Sequence, residues 1–158
     1  MSTPVTFSAG QPVTAAQLNT LGAAVATYTP ALTAATTSPT LGSGSAVTGQ
    51  YGQLNWLAAV WFDITFGTSG TAAGSGEYRV SLPVNIEPGA ATGMVLGSGT
   101  IWDNDVSSLR LVTFEMVSGQ PGVVKIAVEG DTRATSSAPW TWAASDRITG
   151  QVLYPADW

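Results

Sequence analysis

The sequence predicts an all-β fold of roughly eight strands preceded by a short N-terminal arm and helix. The strand spacing suits a sandwich or barrel and is read as an antiparallel, jelly-roll-like β-sandwich, an immunoglobulin-like strand order also fitting. Three observations carry this. Apolar and polar residues alternate over several stretches from Trp56 onward. Clusters of Gly, Pro, Ser and Thr separate those stretches at similar spacing. The one run with helical periodicity lies before Tyr28.

That run is Thr14 to Val25. Thr14 and Gln17 match a capping box, Pro12 lies just before the start, and Ala15 and Ala16 are good helix formers. Leu18, Leu21 and Val25 form a narrow apolar stripe that is marginal alone in water and needs a partner. The partner is either the domain that follows or copies of the same helix about a symmetry axis. Residues 1–27 are therefore read as an arm and helix, and 28–158 as the β domain. Within the β domain the expected strands are Thr27 to Thr33, Val47 to Tyr51 and Trp56 to Phe66. Tyr78 to Val84 follows, with Pro83 marking an edge or strand end. Gly93 to Trp102 reads as a strand with a bulge, and Leu109 to Val117 as one buried on both faces. Val124 to Val128 and Ile148 to Tyr154 complete the set.

Composition narrows the function. Of 158 residues only 9% are charged, against roughly 25% in an average soluble domain. There is no charged side chain before Asp63, so the surface there is polar but neutral. The chain has no His and no Cys, which removes a Ser-His-Asp triad, a Cys-His pair, the usual zinc sites and disulfides. Its only lysine, Lys125, has no Gly-rich phosphate loop before it. A net charge of −5 with five cationic side chains argues against nucleic acid as a partner. No apolar run is long enough for a membrane helix, and Met1 to Gln11 lacks the features of a secretion signal.

Three features could carry chemistry. Asp103-Asn104-Asp105 is the densest oxygen cluster, but it lacks the rest of a calcium loop and reads more simply as a turn. Glu77, Glu115 and Glu129 could supply the carboxylate pair of a glycosidase, yet they fall at strand positions with a solvated face as the simpler account. The six tryptophans can stack on sugar rings or pack a core or interface. Trp61, on the odd face of its strand, and Trp158, at the chain end, are the candidates for glycan contact. No catalytic residue, metal ligand or cofactor site is assigned.

The order of short motifs resembles a family of small virion proteins of tailed bacteriophages, especially those of actinobacteria, described as minor tail, fibre or head-decoration proteins. The resemblance runs through Gly10 to Asn19 (GQPVTAAQLN), Ala26 to Thr33 (ATYTPALT), Gly49-Gln50-Tyr51, Phe62 to Gly67, Gly76 to Pro83 (GEYRVSLP) and Pro139 to Ile148 (PWTWAASDRI). It departs at Leu54-Asn55-Trp56, where members often have Ile-Gly and a small residue. The resemblance implies a non-catalytic structural protein, often trimeric, assembled in the host cytoplasm onto a virion. Its expected partners are further copies of itself, the major capsid or tail proteins, and host-surface glycan. Phe7, Leu18, Leu21 and Val25 are the expected assembly contacts. The reading from another class is a carbohydrate-binding module that grips polysaccharide with exposed tryptophans.

Overall fold

A computed structural model describes residues 9–12, 14–15, 25–54, 56–89, 91, 93–129 and 132–157. Ten antiparallel strands form one curled sheet: β1 (Val25–Tyr28), β2 (Leu32–Ala34), β3 (Ala46–Leu54), β4 (Leu57–Thr65), β5 (Tyr78–Ser81), β6 (Val95–Asp103), β7 (Ser108–Val117), β8 (Gln120–Val128), β9 (Thr132–Arg133) and β10 (Arg147–Pro155). Their order across the sheet is β1-β3-β4-β10-β6-β7-β8-β5-β2, and β9 adds to β8. Seven of the eight expected strands are present, and the first, Thr27 to Thr33, is split in two. The tenth strand is the two-residue β9.

The break lies at Thr29-Pro30-Ala31. Proline has no N–H to give to a ladder, so the strand cannot continue through it. β1 pairs with β3, whereas β2 pairs with β5 at the opposite end of the sheet. Four Cα–Cα steps separate Tyr28 from Leu32, so the two ends of the sheet lie within about 15 Å of each other at this point. Ala31 secures the crossing: its N–H donates to Ser81 Oγ and its carbonyl accepts from the Ser81 N–H.

Alternation puts one face of every long strand inside. Val60, Phe62 and Ile64 of β4 meet Ile148, Val152 and Tyr154 of β10, Phe114 and Met116 of β7, and Val124 and Ile126 of β8 in a single core. The Phe62 and Phe114 rings meet edge-to-face with centroids 5.0 Å apart, although two strands lie between β4 and β7 in the sheet. The sheet therefore curls tightly enough for one inner face to close on itself. Gly150 on β10 and Gly99 on β6 allow this approach. A Cβ at Gly150 would run into both phenyl rings, and one at Gly99 would collide with the Thr149 carbonyl and the Phe114 ring.

Two expectations change. Val25 is not the last residue of a helix but the first of β1, paired with Gly52 and 65% exposed. Alternation from its pairing with β3 decides its conformation, outweighing a helical stripe that has only one heptad. β7 is not buried on both faces, since Leu109 and Leu111 project outward while Val112, Phe114 and Met116 enter the core. An unbroken apolar run hides its own alternation, and only the neighbouring strands reveal it. Of the rest of the expected helix only Thr14 and Ala15 are described; Leu18 and Leu21 lie outside the described residues, as do Phe7 and Trp158.

Candidate functional site

Paired residues in an antiparallel ladder share a face. Following the pairings across the outer face gives one row, Gln50–Trp61–Gln151–Ser98–Thr113, over β3, β4, β10, β6 and β7. A second row lies beside it, Thr48–Asp63–Thr149–Thr100–Leu111. With strands 4.7–4.9 Å apart, each row spans roughly 19 Å. Between them runs the inward row Gly49–Phe62–Gly150–Gly99–Val112. Because Gly150 and Gly99 bring no side chain inside, the backbone sinks toward the Phe62 and Phe114 rings. The outer surface is correspondingly indented.

That indentation is an open-sided cleft of about 970 Å³. Its floor is Gly49, Gly99 and Gly150, and its walls are the two outward rows, with Ala127 and Glu129 at the far side. Trp61 stands in the cleft 48% exposed, and Leu111 is its most exposed apolar side chain. The other wall groups are mainly hydroxyls and amides. Thr100 and Thr149 share a hydrogen bond across β6 and β10 at 2.7 Å. No lysine or arginine lines the cleft, and its two acidic residues are Asp63 and Glu129. Both Asp63 carboxylate oxygens accept from Arg147, one from Nε at 2.9 Å and the other from Nη2. This hydrogen bond raises the Arg147 pKa above its ordinary value.

The tryptophans separate by environment. Trp61 is in the cleft, and Trp56 is exposed in the turn before β4. Trp142 is buried, donating its indole N–H to the Thr135 carbonyl at 2.8 Å and packing against Phe66, Tyr78 and Trp140. The alternation of β4 already marks Trp61 as outward. The cleft around it depends on which strands become neighbours.

The other candidates have structural roles. Asp103 Oδ1 accepts the N–H groups of Asp105 and Val106, which makes Asp103-Asn104-Asp105 a turn between β6 and β7. Glu115 is held by Lys125 at 3.4 Å and Arg133 at 3.1 Å, and Glu77 lies 3.7 Å from both Arg79 and Arg133. Asp146 was not singled out in the sequence, yet it is fully buried. Its Oδ1 accepts the Asn104 N–H and its Oδ2 the Ala143 N–H, so it pins the loop before β10 to the β6–β7 turn. Burial raises its pKa; the two backbone donors oppose that rise and the nearby Asp103 carboxylate adds to it. Among the described residues no three His, Cys, Asp or Glu groups are placed to share a metal ion, and no helix is long and apolar enough to cross a membrane.

Comparison of the chain with protein-family models, curated proteins and solved structures found no match.

Proposed function

We propose that this chain is a non-catalytic surface protein of a tailed-bacteriophage virion, a capsid decoration or minor tail/fibre subunit. Residues 1–24 attach it to the particle, and the β domain, with the inner face of the curled sheet packed on itself in jelly-roll fashion, projects outward. The subunit is a homotrimer, and its neighbours on the particle are the major capsid or tail proteins.

The observation that carries this reading is where the core begins. Among the described residues, its buried members run from Leu32 to Ala156, and nothing N-terminal to Tyr28 packs against it. Val25 and Thr27, exposed on the terminal strand β1, can engage a neighbour without unpicking the domain. The neutral surface before Asp63 supports the same reading, because a subunit contact there buries no unpaired charge. The ordered series of motifs is what suggests a virion. The engaged Asp63, Glu115 and Asp146 carboxylates favour a mechanical or adhesive role over hydrolysis.

Immunogold labelling of purified phage particles with antibodies against residues 28–158 tests the placement. Label on heads identifies decoration and label on tails identifies a tail or fibre subunit; its absence from intact particles overturns the proposal. Light scattering of the full chain and of a 25–158 variant then locates the trimer contact. Leu18→Asp with Leu21→Asp should abolish attachment and leave the β domain folded. Unchanged attachment removes the N-terminal helix from the interface.

A further inference from the structure

We infer that the outer cleft over β3, β4, β10, β6 and β7 binds a neutral glycan chain, with Trp61 as the stacking platform. The argument comes from the cleft's shape and chemistry and does not depend on placement in a virion. An elongated, open-sided cleft across five strands suits a segment of a polymer better than a small enclosed metabolite. Its walls offer Gln50, Gln151, Thr48, Thr113, Ser98 and the Thr100–Thr149 pair. Side-chain amides and hydroxyls both donate and accept, which is what sugar hydroxyls require. Trp61 adds a broad apolar face for the C–H side of a ring.

Charge selects among polymers. The walls hold no cation, and the whole chain carries −5. A polyanion, whether nucleic acid or an acidic polysaccharide, would meet the Glu129 carboxylate and no cation in the walls, the neighbouring Arg147 being engaged by Asp63. A neutral polymer meets no such penalty. The inward-facing glycines serve the same end: Gly99 and Gly150 let the backbone sink toward the Phe62 and Phe114 rings, so a ligand can lie low against it. Thus the residues that let the core rings approach from inside also make room outside.

Affinity electrophoresis of the full-length protein tests this with galactan, arabinan, mannan, xylan and β-glucan in the gel, and polygalacturonate as the acidic control. The expected result is retardation by at least one neutral polymer and none by polygalacturonate. Binding should weaken at least tenfold in Trp61→Ala and several-fold in Gln151→Ala, and stay unchanged in Val106→Ser, an exposed turn residue outside the cleft. Circular dichroism checks that each variant is folded. Failure of every neutral polymer to retard the protein overturns the inference, as does undiminished binding by folded Trp61→Ala. A drop in oligomer mass on Trp61→Ala also overturns it and assigns the cleft to contact between copies of the chain. Particle labelling is a separate outcome: unlabelled virions with glycan retardation would reject the virion placement and keep the cleft.

Discussion

The two sides of the curled sheet share one core and differ in what they show to water. Over β5, β7, β8 and β9 the outer face is an ionic lattice in which Arg79, Lys125 and Arg133 interleave with Glu77 and Glu115. The pairings Arg79↔Lys125 and Lys125↔Glu115 set these charges side by side across the strands. Over β3, β4, β10 and β6 the outer face carries Thr, Ser, Gln and Trp61 beside the apolar Ala59 and Leu153, with the Asp63–Arg147 pair as an ionic contact. On the charged side the opposite charges lie within 3.1–3.7 Å of one another, although the buried Arg79 Nε makes no hydrogen bond. The neutral side leaves hydroxyls, amides and an aromatic face open around an indentation. In a chain with so few charges, concentrating them on one side keeps the other free for an uncharged partner.

The largest effect expected from breaking this contrast comes from beneath the neutral side. Gly150→Val places a branched side chain against the Phe62 and Phe114 rings and should destabilise the fold by about 3 kcal/mol. Urea unfolding measures this, and a loss below about 0.5 kcal/mol would show that the sheet does not need to sink there.

Asp146→Asn comes next, because an amide cannot accept both backbone N–H groups with two oxygens as the carboxylate does. The expected loss is about 2 kcal/mol near neutral pH. The same residue imposes a pH dependence. Its folded pKa is raised, so the native state holds the proton more tightly than the unfolded chain. The proton-linked part of its contribution, separate from the two hydrogen bonds, is full below the ordinary carboxylate value and is lost as pH rises through the elevated folded value. Wild-type unfolding should therefore show this falling component, and Asp146→Asn should lack it.

On the charged side, Glu115→Gln removes the anion shared by Lys125 and Arg133 and should cost about 1 kcal/mol. The difference from wild type should shrink in 1 M salt, where the screening length is about 3 Å. A salt-independent difference would mean that packing, not charge, is what Glu115 supplies. The smallest effect belongs to Trp61→Ala, whose half-exposed ring should change stability by less than about 0.5 kcal/mol. A much larger loss would make Trp61 a structural residue of the neutral side.

Much of this architecture is legible in the chain. β4 can be read from Ala58, Val60, Phe62 and Ile64 alone, and with it the outward position of Trp61. The bulge in β6 agrees with the register shift between Val95 and Gly97. Pro30 splits the expected Thr27 to Thr33 strand, and nothing local indicates that the halves pair at opposite ends of the sheet. Leu109 and Leu111 mislead because an all-apolar run carries no parity signal. Asp146 gives no sign of burial, since its two donors come from the backbone of Asn104 and Ala143. The cleft escapes for a similar reason: Gly49, Gly99 and Gly150 lie far apart in the chain.

The sequence by itself determined the all-β class, the positions of the long strands, the neutral first third of the chain and the chemistry ruled out by lacking His and Cys. These are properties of composition or of the two-residue period within a strand, and both are local. Only the tertiary structure decided that β10 would lie between β4 and β6, aligning Phe62, Gly150 and Gly99 in one row. Register between distant strands is a long-range outcome of hydrogen bonding and core packing, and the cleft exists only once that register is set.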